Sequence, residues 1–164
     1  MELLEVFDDD GNVIGKSVDR NAHFELDDGE HIAIAVIFIE NNNGEFLMQK
    51  TSKKKGGLYS STGGHVDYGE TPLETIKREV KEELGINIDD EEIKDFGFLS
   101  YDMPLRYLFY LKKDINIEDI KVQEEEVEFV KYISIDDICS MIEKKEILES
   151  HGIMFKKLMD KIQN

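Results

Sequence analysis

The sequence predicts an α+β fold with a central mixed β-sheet packed between helices. Three observations point there. Short β-branched or alternating runs are spread along the whole chain, helical patterns stand both between them and after them, and no regular strand–helix–strand beat sets up a purely parallel sheet. At 164 residues, with no long repeat and no Pro/Gly/Ser-rich linker, residues 1–164 are expected to form a single domain.

Residues 2–7 and 12–18 read as a hairpin within an N-terminal extension (residues 1–25), turning at Asp8-Asp9-Asp10-Gly11. A calcium loop would need an acid where Val6 stands and a glutamate where Ser17 stands, so the aspartates are assigned to the turn. Residues 31–39 form a near-continuous β-branched run, as expected of a strand buried on both faces. Residues 41–44 supply a turn tolerant of positive φ, and residues 45–50 should return as the next strand. Residues 52–57 read as a basic loop and 60–69 as a glycine-bearing one. Beyond the helix described below, strands are expected at 95–101, 105–111 and 127–133. Helices follow at 135–144 and 147–162, the second with room for a break near Gly152. Cys139 shares a helical face with Ile135, Ile138 and Ile142 and is expected in the core.

Twenty Lys+Arg against 37 Asp+Glu leave a net charge of −17. That field repels polyanions, so a nucleic-acid polymer is not an expected partner, and a small phosphorylated substrate would need locally placed cations. A lone cysteine allows no internal disulfide and suits a cytoplasmic setting. The acidic start MELLEVFDDD lacks the basic opening of a signal peptide, and the longest apolar run, residues 32–39, is too short to cross a bilayer. Monomer and homodimer both stay open.

Residues 71–85 carry the strongest local signals. Thr71 suits an N-cap, Pro72 the first helical position, Glu74 completes a capping box, and Gly85 can end the helix in a left-handed conformation. On a wheel with Glu79 at zero, Leu73, Ile76, Val80 and Leu84 fall at about 120°, 60°, 100° and 140°, one apolar stripe. Glu79, Glu82 and Glu83 fall at about 0°, 300° and 40°, on a separate face. Glu82 and Glu83 stand in the last turn, where the helix dipole disfavours anions by roughly 0.3–1 kcal/mol each. Glu79 and Glu83 also repel each other at i,i+4, and Arg78 and Lys81 offset only part of this. A divalent cation would reverse the penalty, because clustered carboxylates are the ligands Mg²⁺ prefers.

From Gly64 the chain runs five residues to Glu70, seven more, then Arg78-Glu79-Val80-Lys81-Glu82-Glu83-Leu84-Gly85-Ile86. This resembles the signature of the Nudix hydrolase family at every specified position, a match expected by chance on the order of once in a million such chains. The resemblance implies an α/β/α sandwich, with residues 64–86 as the Nudix box. It also implies cleavage of a nucleoside diphosphate linked to another group, with Mg²⁺ or Mn²⁺. By the same resemblance Glu79, Glu82 and Glu83 bind the metal beside the backbone carbonyl of Gly64, Arg78 orients the glutamates, and Glu70 holds the loop to the helix. Family members draw a general base from a signature glutamate or from a later acidic loop. Glu124, Glu125 and Glu126 are the candidates for the latter, against the reading of a solvated loop. Lys53, Lys54 and Lys55 are candidate substrate contacts or a solvated tip. Residues 60–64 lack the Gly-Lys-Ser/Thr ending of a P-loop. His65, inside the box, is a candidate outer ligand, whereas His23, His31 and His151 have no supporting constellation.

The stretch from Asp19-Arg20 to His23 and His31 also resembles the isopentenyl-diphosphate isomerase branch of the superfamily. No thiol stands in Ser61-Thr62-Gly63-Gly64, and Pro104-Leu105-Arg106-Tyr107 carries no glutamate pair, so isomerase activity is not expected. A non-catalytic nucleotide-sensing module is the other alternative, disfavoured by the intact signature and the want of a second, reporting domain. The expected function is Mg²⁺-dependent hydrolysis of a diphosphate linkage in a small nucleoside-diphosphate-type substrate, by water attack at phosphorus.

Overall fold

The β-branched run after His31 becomes the buried centre of a mixed sheet. The structure, a computed structural model, describes residues 2–100 and 103–163. Tyr101, the predicted end of one strand, lies outside the described residues, as do Met1 and Asn164. In chain order the elements are β1 (Leu3–Phe7), β2 (Val13–Asp19), β3 (Ala33–Glu40), β4 (Glu45–Thr51), β5 (Tyr59–Ser60), β6 (Thr62–His65), α1 (Pro72–Leu84), β7 (Lys94–Ser100), β8 (Leu105–Lys112), β9 (Val127–Ser134), α2 (Ile135–Glu143) and α3 (Glu149–Ile162).

β3 pairs in parallel with β8, from Ala33↔Leu105 to Glu40↔Lys112, and β8 pairs antiparallel with β7. Because side chains alternate across a strand, β3 feeds two cores. Ala35, Ile37 and Ile39 pack with Phe109 against Ile76, Val80 and Leu84 of α1. Val36 and Phe38 face the other way, with Phe46, Met48 and Leu108, against Phe155 and Leu158 of α3. There Phe155 meets Phe38 and Phe46 edge-on, with centroids 5.6 and 5.2 Å apart. Each such side chain contributes roughly 1.5–3 kcal/mol by burial, so the two apolar helix faces hold the sheet between them.

The structure corrects several details of the sequence reading. Residues 45–50 do form a strand, but β4 pairs with β3 only at Glu40↔Phe46 and runs beside β9 along its whole length. The two strands diverge after the turn, and the segment expected to be a loop fills the wedge. β5 pairs with β4 through Gln49↔Ser60, and β6 pairs with β3 from Ile34↔His65 to Ile37↔Thr62. Gly63 and Gly64 hide that strand from a sequence pattern, having no side chains to alternate. Yet Gly63 is required there, since a Cβ would stand 2.6 Å from the carbonyl oxygen of Ala35. Lys53–Lys55 form a 3₁₀ turn inside the predicted basic loop. α3 begins at Glu149 and does not break at Gly152, whose missing side chain lets Ile142 and Ile147 pack close to the helix. Cys139 is exposed, not core. The buried face of α2 centres on Ile138, with Ile142 half-buried, and Cys139 lies about 100° round the helix from Ile138.

The N-terminal hairpin forms as expected, with Leu3↔Asp19 at its open end. Its aspartates serve the turn: Asp8 Oδ1 accepts from the backbone N–H groups of Asp10 and Asn12 at 2.9 Å each. The hairpin is fastened to the loop before α1. Tyr68 N–H donates to Leu3 O (2.9 Å), Glu5 N–H to Val66 O (3.2 Å), and Gly69 N–H to the buried Glu5 carboxylate (2.6 Å). Among the described residues no helix is long and apolar enough to cross a membrane.

Candidate active site

Local rules position α1. Thr71 Oγ1 accepts from Glu74 N–H and Glu74 Oε1 from Thr71 N–H, a reciprocal cap, and Gly85 closes the helix at φ 70°. With its apolar stripe held on the sheet, the acid face of α1 lies along β6. Gly64, opposite Ala35 in the ladder, turns to that side, and a side chain at 64 would collide with the Glu79 carboxyl. The glycine therefore keeps backbone and carboxylate adjacent.

Arg78 organises the acids with its planar fork. Its Nε and Nη2 donate to the two oxygens of Glu70 at 2.8 and 3.0 Å. Nη1 donates to Glu79 (2.8 Å) and to Glu82 (3.3 Å), and Asp67 lies 3.2 Å from Nη2. Glu70 also accepts from Thr75 Oγ1 at 2.9 Å and from the backbone of Asp67, so it joins the loop to the helix. Burial alone would raise the Glu70 pKa, but these hydrogen bonds outweigh it and hold the carboxyl below its usual value.

Glu79 and Glu83 behave differently. Burial raises the Glu79 pKa despite Arg78. Glu83 is pushed up to about 8, first by burial and then by the charge of Glu79, with the Gly63 N–H and the Gln49 side chain pulling the other way. Glu83 Oε2 is buried without a hydrogen-bond partner. A buried carboxylate oxygen left so is costly, and a cation is the partner that would relieve it. Among the described residues no three acid, His or Cys side chains converge in metal-holding geometry, and Glu79 and Glu82 both accept from Arg78. All three glutamates nevertheless line one recess of about 280 Å³, with Gly63, Gly64, His65, Arg20, Gln123 and Glu126. A second recess of about 200 Å³ continues past Glu83 and Glu126 to Lys55, Leu148 and His151. A larger hollow of about 380 Å³ lies between α2 and α3, but Leu58, Ile142, Ile147 and Ile153 give it an apolar character unsuited to phosphate chemistry.

A box glycine beside a glutamate-lined recess is a family-level pattern, and residues 29–158 match the family model described as the NUDIX domain. The chain belongs to the Nudix family. An uncharacterized Nudix hydrolase of Listeria innocua serovar 6a, lin0387, is 30% identical over 144 residues, covering 84% of this chain and 81% of the relative. The asymmetrical bis(5'-nucleosyl)-tetraphosphatase of Mus musculus is 29% identical, over 66% of this chain and 77% of that protein. Among solved structures, DR0079 of Deinococcus radiodurans superposes with a TM-score of 0.76 at 17% identity, covering 94% of this chain and 98% of that one. This Nudix protein is a pyrophosphohydrolase, and its fold is the Nudix α/β/α sandwich.

The remaining candidates sort by position. Of the acidic run, Glu126 lines both recesses, while Glu124 and Glu125 line neither; the Glu125 carbonyl accepts from Ser52 Oγ. Of the basic run, Lys55 reaches the second recess and lies 3.6 Å from Glu126, whereas Lys53 and Lys54 stay at the solvated tip. His65 lines the acid recess, its pKa lowered by burial and then by Arg20. His23 is exposed, and His31 bridges Asp9 and the carbonyl of Met103. Sequence reasoning missed Arg20, Gln49, Gln123 and His151, which come from four separate stretches of the chain and form no local motif.

Proposed function

We propose that this Nudix hydrolase cleaves a diphosphate linkage in a small nucleoside-diphosphate-type substrate with the help of Mg²⁺ or Mn²⁺. Glu79, Glu82, Glu83 and the Gly64 carbonyl hold the cations, and the supporting observation is the buried, unpartnered Glu83 oxygen in a recess lined by the other two glutamates. Bound cations supply neutralisation of the linked phosphates, polarisation at phosphorus and activation of water. The protein's own part is placement. Arg78 steadies Glu79 and Glu82 from behind, Glu70 locks Arg78 to the loop, and Gly64 keeps the β6 backbone close to the acids. Glu126, alone of the acidic run in lining the recess, is the residue we assign as base toward the attacking water.

Nucleotide character of the substrate is supported by the mouse relative, named for a bis(5'-nucleosyl)-tetraphosphate, and by a Mannheimia succiniciproducens relative named NAD-capped RNA hydrolase, 35% identical over half of this chain. The net charge of −17 favours the small-molecule form over a polymer. A single cysteine fits a cytoplasmic setting. The test is a panel of diphosphate compounds, namely dinucleoside polyphosphates, NADH, ADP-ribose and oxidised nucleoside triphosphates, incubated with Mg²⁺ and read by product mass. Cleavage at phosphorus that needs the metal is expected. Absence of turnover across the panel, with Mn²⁺ failing to bind by electron paramagnetic resonance, would overturn the assignment.

A further inference from the structure

We propose that Arg20, carried by the N-terminal hairpin, binds a phosphate of the substrate and makes the hairpin part of the active site. The inference rests on the diphosphate reading above and extends it to a residue beyond the part of the chain, residues 29–158, that matches the family model.

The recess contains Glu79, Glu82, Glu83 and Glu126, and a polyanionic substrate must enter it in a chain already 17 charges negative. Nearby cations are few and mostly engaged. Arg78 spends its donors on Glu70, Glu79, Glu82 and the carbonyl of His65. Lys55, at the far recess, stands beside Glu126. His65 is held toward its neutral form. Arg20 also lines the acid recess, half-exposed, and its ion pair with Glu2 is a loose 3.9 Å approach. Among the described residues lining that recess it is the permanent cation.

Its placement is rigid where it matters. The backbone N–H of Arg20 donates to the carbonyl of Glu2 at the open end of the hairpin, and β1, the strand paired with β2, is hydrogen-bonded to Val66, Tyr68 and Gly69 of the Nudix box. The pairing of β1 with β2 therefore fixes the backbone of Arg20, just past the end of β2, while its side chain, held only loosely by Glu2, can turn to meet an anion. A guanidinium suits this because its planar fork matches two phosphate oxygens at once. The cations held by the glutamates would neutralise part of the charge on the linked phosphates, and Arg20 would add to it.

The experiment uses the full chain and α,β-methylene-ADP, a diphosphate that cannot be hydrolysed at its bridging carbon. Its binding in Mg²⁺ is measured by calorimetry for wild type, Arg20→Gln and Arg20→Lys, with Mn²⁺ binding followed separately by electron paramagnetic resonance. Loss of one charge-assisted contact should weaken the probe by about 10- to 100-fold in Arg20→Gln, with part of it recovered in Arg20→Lys. Mn²⁺ affinity and melting temperature should stay at wild-type values. With a substrate found by the panel, the loss should appear mainly in KM. Equal probe binding by wild type and Arg20→Gln overturns the Arg20 assignment alone. A parallel loss of Mn²⁺ binding or of the fold also overturns it, by making the residue structural. Failure of wild type to bind the probe while it binds Mn²⁺ overturns both this assignment and the diphosphate reading.

Discussion

At position 64 the absence of a side chain matters more than any side chain nearby. A methyl group there would strike the Glu79 carboxyl, so Gly64→Ala should displace a proposed metal ligand while sparing most of the core. The expected result is a loss of Mn²⁺ affinity and of turnover, with a melting temperature close to wild type. Glu82→Gln and Glu83→Gln remove proposed ligand charge without changing size. Each should lower kcat by about 10²- to 10⁴-fold and leave circular dichroism unchanged. Near-normal turnover in both purified variants would sink the site assignment. The Glu83 variant carries a further expectation. If its buried oxygen awaits a cation, added Mg²⁺ should raise the melting temperature of wild type by mass action and that of Glu83→Gln much less.

Among the elements, α1 is the one whose boundaries, caps and buried face all follow from neighbouring residues. Its reciprocal Thr71–Glu74 cap sits on an exposed end, so Thr71→Ala should cost about 1 kcal/mol. Chemical unfolding measures that loss directly. β6 is the opposite case. Two glycines erase its alternation, and only the wedge opened by the divergence of β3 and β4 makes it a strand. α2 shows how a correct element can still mislead. Its span is nearly as the hydrophobic spacing predicts, yet Cys139 lands on the exposed rim because α2 is covered along a narrow line through Ile138. The N-terminal hairpin was legible as a hairpin, but its hydrogen bonds to residues 66–69 were not, since they join segments about sixty residues apart.

Across the whole molecule, a buried histidine ties α3 to the link between β5 and β6. His151, near the start of α3, takes the Ser61 N–H on Nδ1 at 3.0 Å, and burial holds its pKa down at about 4 against 6.5 in an unfolded chain. The folded protein therefore resists a proton that the unfolded chain accepts. Stability from this group is complete above pH 6.5 and is lost as the pH falls toward 4. Between pH 7 and pH 4.5, urea unfolding should show wild type losing about 2 kcal/mol more than His151→Gln, whose side chain does not titrate. An equal loss in both proteins would mean that His151 is not held neutral by the fold.

Taken alone, the amino-acid order determined the helix that bears the acids, the strands with side chains to alternate, and the box from Gly64 to Ile86 that marks the family. Those properties depend on spacings of a few residues, which hydrogen-bond geometry and side-chain periodicity convert directly into local structure. Tertiary packing alone decided that Gly63 and Gly64 form a strand, that Glu126 reaches the recess while Glu124 and Glu125 do not, and that Arg20, Gln49 and His151 stand around the same acids. These are meetings of distant segments. Their partners are chosen by which apolar faces the sheet must cover, and no short run of residues encodes that choice.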